Sequence, residues 1–129
     1  MNIKCDYCNK PASLVFGAQL YPHRRDLVDK RFWHCAECKA WVGCHAGKQN
    51  KPLGRLANAE LRKAKQAAHA AFDPVWRSGR MKRKDAYAWL ADELGISFAN
   101  CHIGMFDVDG CKAVIAVVKK MNSTNNQTI

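Results

Sequence analysis

The sequence predicts an α+β fold, in which a β-rich N-terminal ribbon packs against a C-terminal lobe of three helices. Three observations support this prediction: two cysteine pairs near the N-terminus, short aromatic runs around them, and three later stretches with apolar residues at helical spacing. A chain of 129 residues fits one compact domain and is too short for two large independent ones. We therefore expect one main core with a small lobe attached to it.

The predicted ribbon covers residues 1–48 and consists of short strands joined by turns. Its apolar runs are short and rich in aromatic residues, at positions 14–16, 20–21, 32–33 and 41–42, which favours strands over helices. The segment between Tyr21 and Asp26 contains a proline and several charged side chains, which is typical of a loop. We expect this loop at the tip of the ribbon.

Two Cys-x-x-Cys pairs, Cys5 with Cys8 and Cys35 with Cys38, are separated by the 26 residues 9–34. A pair at this spacing fits in one tight turn and presents two thiolates to one ion, so two such turns complete a tetrahedral ligand shell. The spacing therefore predicts one structural Zn²⁺ ion, with no open position for a catalytic water. Zinc would also stabilise a β-lobe that is too small to fold on buried apolar surface alone.

Other interpretations of the cysteines remain open at this point. A thioredoxin-type redox pair normally stands alone before a helix in a βαβ unit, whereas here two pairs lie among strands. Cys44 and His45 offer a substitute zinc ligand. Cys101, His102 and Cys111 are candidates for a second metal, although their spacing matches no common shell and Cys111 falls on an apolar helical stripe.

The predicted domain organisation has a connector at residues 49–57, a helical lobe at 58–121 and a flexible tail at 122–129. The connector contains glycine, proline and lysine with little to bury. The tail is polar and has no apolar period. Neither segment is expected to contribute to a core.

Each of the three predicted helices has a recognisable start or end in the sequence. The first follows a candidate N-cap at Asn58 and ends or bends near Pro74. The second closes at Gly95, because glycine readily adopts the left-handed conformation of a helix C-terminus. Asp107 is a candidate N-cap of the third, whose apolar stripe reaches Val118.

The charge and the apolar runs limit the classes of partner and compartment. The formal net charge is +10, from 21 basic and 11 acidic residues, and such a surface attracts nucleic acid, an acidic protein or an anionic membrane. The longest aliphatic run, Ala113–Val118, is far shorter than the ~20 residues that cross a bilayer. The start, Met1–Cys5, lacks the apolar segment of a secretory signal, so we expect a cytoplasmic protein without a membrane partner. Seven cysteines in a reducing cytosol indicate metal binding rather than disulfides.

A combination of short motifs extends from Cys5 to about Val118. Besides the Cys-x-x-Cys pairs, the motifs are Tyr21-Pro22-His23-Arg24, Phe32-Trp33-His34-Cys35, Val42-Gly43-Cys44-His45, Pro52-Leu53-Gly54, the segment Ala68 to Trp76, and the segment Cys101 to Asp107. Together they resemble the family of small zinc-finger-containing proteins of bacteriophages, prophages and bacteria. The resemblance implies a zinc lobe fused to a helical lobe and a phage-related setting in a bacterial host, but no particular activity.

The basic residues are unevenly distributed, and this predicts a zinc-binding accessory protein, not an enzyme, that binds nucleic acid by phosphate contacts. The predicted contact residues are Arg24, Arg25, Arg62, Lys63, Lys65, Arg77, Arg80, Lys82, Arg83 and Lys84, with Lys30 and Arg31 as further candidates on the ribbon. Trp76, Tyr87 and Trp89 would stack on bases if they are exposed, but for these aromatic residues alone the sequence favours a place in the helix core.

Two alternative functions are also consistent with the sequence. One is a protein-interaction module, such as a phage inhibitor of an acidic host or defence protein. The other is a metal-dependent nuclease built on His69 and Asp73, which lie one helical turn apart, with a contribution from His23, His45 or His102. A protein partner without nucleic acid would favour the first, and cleavage that depends on His69 would favour the second.

Overall fold

The structure is a computed structural model that describes residues 2–47 and 49–127, without the side chains of residues 124–127. An antiparallel sheet precedes a series of helices, which confirms the predicted α+β class. The chain divides into two compact units, the first ending at Glu60 and the second beginning at Leu61. In the part of the chain that is described, no helix combines the length and apolar character needed to cross a membrane.

The first unit contains a three-stranded antiparallel sheet. Its strands are β1 (Ser13–Phe16), β2 (Arg31–Cys35) and β3 (Ala40–Gly43), in the order β1-β2-β3. Three of the four predicted strand segments are therefore confirmed. The register places Trp33 of β2 between Leu14 of β1 and Val42 of β3, and it pairs Cys35 with Ala40 where β2 turns into β3.

The prediction of a strand at positions 20–21 was wrong, because the chain forms the short helix α1 (Gly17–Leu20) there. The Tyr21 N–H donates to the Gly17 carbonyl oxygen at 2.7 Å, which closes one helical turn. A Cβ atom at position 17 would lie 1.7 Å from the Leu27 carbonyl oxygen, so this approach of two backbone segments requires glycine. A 3₁₀ turn, Arg25–Leu27, then occupies the predicted loop before β2.

The aromatic residues that indicated strands pack on one another in the first unit. The Tyr21 ring lies 5.7 Å from the Phe32 ring and 6.0 Å from the Trp41 ring, between ring centroids. The Trp41 Nε1–H donates a hydrogen bond of 2.9 Å to the Tyr21 hydroxyl. Tyr21 therefore belongs to the aromatic cluster, although it lies at the end of α1 and not in a strand.

Residues 49–57, the predicted connector, pair with the sheet and belong to the first unit. Trp41 and Ala57 exchange two backbone hydrogen bonds of 3.0 Å, and Cys44 forms an isolated bridge with Pro52. Leu56 is almost completely buried. This segment is therefore a structured extension of the ribbon that returns along β3.

The second unit is helical. Its helices are α2 (Ala59–Phe72), α3 (Pro74–Arg77), α4 (Arg83–Leu94) and α5 (Val108–Gln127), with 3₁₀ turns at Phe98–Asn100 and Ile103–Met105. The three predicted helices correspond to α2, α4 and α5. Pro74 ends α2 as predicted, but it also begins the additional short helix α3, because proline is well tolerated in the first turn.

The helix ends have the physical causes that the sequence indicated. Gly95 adopts a left-handed conformation at the end of α4, with φ of 68°. The Asp107 carboxylate accepts a 2.8 Å hydrogen bond from the Gly110 N–H and so caps α5. Helix α5 includes residues 122–127 of the predicted tail, and residues 128–129 lie outside the described residues. The flexibility of the tail stays a prediction.

The buried side chains of the second unit are mostly aliphatic. They are Leu61, Ala68, Phe72, Val75, Ala86, Leu90, Ala91, Cys101, Ile103, Cys111, Val114 and Val118. Helix α4 packs against both α3 and α5, and the Tyr87 ring of α4 meets the Phe72 ring of α2 at 4.7 Å. The second unit therefore has an apolar core of its own.

Candidate metal centre and basic surface

The first cysteine pair lies in a tight turn near the N-terminus. The Cys5 N–H donates to the Lys10 carbonyl oxygen, and the Asn9 N–H donates back to the Cys5 carbonyl oxygen at 2.8 Å. Asn9 has a φ of 62°, a left-handed conformation that asparagine tolerates better than most residues. The Tyr7 N–H points at the Cys5 Sγ atom from 3.4 Å. This backbone geometry directs both thiols of the pair to the same side of the turn.

The second pair lies in the turn between β2 and β3. Cys35 is the last residue of β2 and Cys38 is within the turn, which closes through Lys39 with φ of 52°. The two Cys-x-x-Cys pairs thus lie in two turns, one that precedes the sheet and one within it. Because β2 is hydrogen-bonded to its neighbours on both sides, the sheet fixes the position of the second pair.

The four thiols meet at one point. The Sγ atoms of Cys5, Cys8, Cys35 and Cys38 all lie within 4.8 Å of one another, and Cys8 and Cys35 are 3.8 Å apart. Tetrahedral coordination with Zn–S bonds of ~2.3 Å places sulfur atoms about 3.8 Å apart. The donor set therefore fits zinc in both chemistry and size, and the predicted ligand group is brought together as expected.

Burial and charge both favour a divalent cation here. Cys5 and Cys35 are buried, whereas Cys8 and Cys38 are half-buried. Burial, and then the neighbouring cysteine sulfurs, raise the pKa of Cys38 to about 12 in the absence of metal, whereas the Lys10 N–H lowers the pKa of Cys8. Four thiolates would repel one another in this space, and a bound Zn²⁺ ion compensates that charge.

The centre holds one structural zinc ion. Four protein thiolates fill a tetrahedral shell, so no coordination position is left for a substrate or a reactive water. Among the described residues, these four cysteines are the one group of three or more potential ligands close enough to share an ion. Cys44 packs against the same core without joining the ligand group.

Asp6 and Tyr7, inside the first turn, form hydrogen bonds with the segment that precedes α2, and neither contact was predicted from the sequence. The Asp6 Oδ2 atom accepts a 2.7 Å hydrogen bond from the Leu56 N–H, and the Tyr7 hydroxyl accepts one from the Asn58 N–H at 3.2 Å. Neither contact has a local sequence signal, because about 50 residues separate the partners. The metal-binding turn therefore also organises residues 56–58.

The remaining cysteines of the second unit have the properties of core residues. Cys101 and Cys111 are both buried, and burial raises the pKa of each thiol. Within the described residues, neither lies in a group of three or more potential ligands close enough to share an ion. Cys111 lies on the apolar face of α5, as the helical stripe predicts.

The predicted nucleic-acid contacts differ in exposure. Arg24, Arg25, Lys63, Arg77, Arg80, Lys82, Arg83 and Lys84 are exposed, whereas Arg62 and Lys65 on α2 are half-buried. Arg24 forms two hydrogen bonds with Asp26, of 2.9 and 2.7 Å, and this carboxylate raises the pKa of Arg24. An anion would have to compete with Asp26 for that guanidinium.

The densest group of exposed cations extends from the last residue of α3 to the first turn of α4, at residues 77–84, and we call it the basic junction. Its members are Arg77, Arg80, Lys82, Arg83 and Lys84. Gly79 has a φ of 82°, which allows the chain to turn between the two helices. The exposed Arg77 contacts the half-buried Asp73 carboxylate at 3.7 Å, and salt weakens such an ion pair.

His69 and Asp73 do form the contact that their spacing predicts. The His69 Nδ1 atom lies 3.4 Å from the Asp73 Oδ1 atom, so Asp73 lies between His69 and Arg77 along one face. The three residues line a cavity of about 500 Å³ together with Ala70, Pro74 and Ser78. His23, His45 and His102 are not part of this cavity lining.

A comparison with known protein families supports the assignment of zinc to the four-cysteine centre. The family model of a zinc-finger-containing domain matches residues 1–121 of the chain. No curated protein and no solved structure matches the chain. The match includes both cysteine pairs and most of the helical unit.

Proposed function

This chain belongs to the zinc-finger-containing domain family, and we propose that it is a non-enzymatic accessory protein that binds nucleic acid through the basic junction. In this proposal the zinc ion is structural and does not contact the nucleic acid. The observation that supports the proposal is the group of five exposed basic side chains within residues 77–84. Phosphate groups are the anions that such a group recognises at the lowest steric cost.

Three of these cations lie at the N-terminus of α4. Lys82 is the N-cap residue of α4 and its side chain makes no capping hydrogen bond, and Arg83 and Lys84 follow in the first turn. The N-terminus of a helix carries partial positive charge, so cations there are unfavourable and anions are favourable. A bound phosphate would relieve this repulsion and accept hydrogen bonds from the first N–H groups of α4.

The resemblance to phage and prophage proteins supports a phage-related setting, in the cytoplasm of a bacterial host. A reducing cytosol keeps the four ligand thiols available for zinc. The high net positive charge of the whole chain adds long-range attraction to a polyanion, independent of its sequence. We therefore expect binding that depends strongly on salt and weakly on base sequence.

The test is a binding titration by fluorescence anisotropy with labelled single-stranded and duplex DNA. For about four phosphate contacts, counterion release predicts a loss of affinity of about 100-fold between about 50 and about 200 mM salt. The variant Arg80→Glu with Lys82→Glu reverses two charges of the basic junction. We expect it to weaken binding about tenfold or more, because two phosphate contacts become repulsive.

A matched control has the same total charge change elsewhere in the second unit. Lys112 and Lys119 are exposed on α5, and Lys112→Glu with Lys119→Glu should weaken binding much less. Equal losses in the two double variants would show that only net charge matters and would contradict a site at the basic junction. No salt-sensitive binding at low ionic strength would remove the proposal altogether.

The same experiments separate the two alternatives. Capture of a stoichiometric acidic protein, with no nucleic acid bound, would favour an interaction module such as a phage inhibitor of a host protein. Cleavage of DNA with added Mg²⁺ or Mn²⁺ that His69→Ala abolishes would favour a nuclease. The contact between His69 and Asp73 is a structural feature that bears on the nuclease.

A further inference from the structure

We propose that the basic junction binds single-stranded nucleic acid in preference to duplex, because two of its arginines stack on aromatic rings. This inference rests on the proposed function and specifies its substrate class. The Arg83 Cζ atom lies 5.0 Å from the Tyr87 ring centroid and 5.6 Å from that of Trp76. The Arg77 Cζ atom lies 5.3 Å from the Trp76 ring centroid. The Trp76 ring thus interacts with both guanidinium groups.

The rings of Tyr87 and Trp76 are held in place by contacts with the interior of the second unit. The Tyr87 ring packs against Phe72 with a centroid distance of 4.7 Å, and Phe72 is completely buried. Trp76 is half-buried, and its Nε1 atom is inaccessible to solvent, so this edge of the indole faces the interior. Burial also raises the pKa of Tyr87, which keeps the phenol neutral. The rings therefore form a fixed support at the base of the basic junction.

The arginines remain exposed while the rings hold them in place. Within the described residues, Arg77 lies over one ring, so the other face of its guanidinium is available, whereas Arg83 lies over two rings and offers the N–H donors around its edge. Because both side chains are already ordered, they lose less conformational entropy when they bind a partner. Arg77 is thus prepared for a flat group and Arg83 for a nearby anion.

An unpaired nucleotide has this combination of groups. Its base provides a planar face for a guanidinium, and its phosphate accepts hydrogen bonds from the guanidinium edge or from a neighbouring lysine. In a duplex, the base faces are stacked on each other and only the phosphates are accessible. Phosphate contacts alone would favour the duplex, which has the higher charge density. A base stacked on Arg77, with its phosphate bound by Arg83, would reverse this preference for the duplex.

The expected preference is about tenfold for one or two stacked bases. It is measured as the ratio of the two dissociation constants, for a labelled single strand and for a duplex of the same length at the same salt concentration. The test variant is Arg77→Lys with Arg83→Lys, which retains both charges and removes both planar groups. We expect it to lose the preference for single strands, because the phosphate contacts that remain favour the duplex.

The matched control is Arg80→Lys. Arg80 is exposed in the same basic junction and, within the described residues, lies over no aromatic ring, so this variant should keep the preference. Wild-type protein that binds duplex as tightly as single strands would overturn the inference without reference to any variant. A preference that survives in the double lysine variant would also overturn it. Failure to bind either form would instead contradict the proposed function.

Discussion

The two units of this protein have cores of different kinds. One buried cluster of the first unit contains Cys5, Trp33, Cys35, Ala40 and Leu56, and two of these five residues are zinc ligands. The second unit buries large apolar side chains from all its long helices, such as Phe72, Leu90 and Val114. The first unit therefore needs an ion to complete its core, whereas the second relies on apolar burial.

Because of this difference, the zinc ion that stabilises the first unit lies apart in the sequence from the residues that are proposed to bind nucleic acid. Zinc holds the ribbon together, and its closed shell gives it no role in chemistry. The proposed binding surface belongs to the helical unit, where burial of apolar residues holds Trp76 and Tyr87 in position. Perturbations of the metal and of the helical core should therefore have separable consequences.

The largest effect is expected for Cys35→Ser, which removes a buried ligand of the zinc ion. Structural zinc contributes ~10–16 kcal/mol in small peptides, so its loss should unfold the first unit. Hydrogen exchange should then show loss of protection in β1, β2 and β3, while amides of α4 and α5 remain protected. Metal content should fall well below one zinc ion per chain.

The control for this variant is Cys44→Ser, because Cys44 packs against the same core without belonging to the ligand group. It should retain one zinc ion and a protected sheet. Retention of a protected sheet by the metal-free Cys35→Ser protein would show that zinc is not needed for the core of the first unit.

The converse change is Phe72→Ala in the second unit. Phe72 is completely buried and contacts Tyr87, and removing such a ring costs ~3–5 kcal/mol. Denaturation followed by the helical circular dichroism signal should show this loss. The zinc content should stay at one ion per chain, and a variant that loses its zinc would indicate that the two cores are not independent.

The smallest effect is expected for Asp6→Ala, which leaves the Leu56 N–H without its 2.7 Å hydrogen bond. A buried donor without a partner costs ~1–3 kcal/mol. We expect faster hydrogen exchange at Leu56 and its neighbours, with zinc still bound. Asp29→Ala removes an exposed carboxylate of the same unit and serves as the control. Equal exchange rates at Leu56 in the two variants would contradict a role of Asp6 in holding residues 56–58.

The zinc site and the long helices could be predicted because their signals are local. A Cys-x-x-Cys pair specifies a turn by itself, and Gly95 and Asp107 specify helix ends through their own backbone preferences and side chains. The position of Cys111 in the core follows from helical spacing alone. Each of these features depends on residues within a few positions of one another.

The features that the sequence did not reveal depend on distant partners. The helical turn α1 depends on the close approach of Gly17 to Leu27, and residues 49–57 are structured because they pair with β3. The hydrogen bond from Leu56 to Asp6 spans the whole ribbon. The sequence suggested that Trp76 and Tyr87 lie near basic residues, but the stacking of Arg83 on both rings requires the packing of α3 on α4.

The dependence of the first unit on zinc can be tested by a zinc titration of chelator-treated wild-type protein, followed by hydrogen exchange and native mass spectrometry. We expect the metal-free chain to lack protection in residues 2–47 and to keep it in α4 and α5. One equivalent of zinc should then restore protection to the sheet and give a single bound ion. A sheet that stays protected without metal, or helices that lose protection together with it, would contradict a zinc-dependent first unit and an independent second unit.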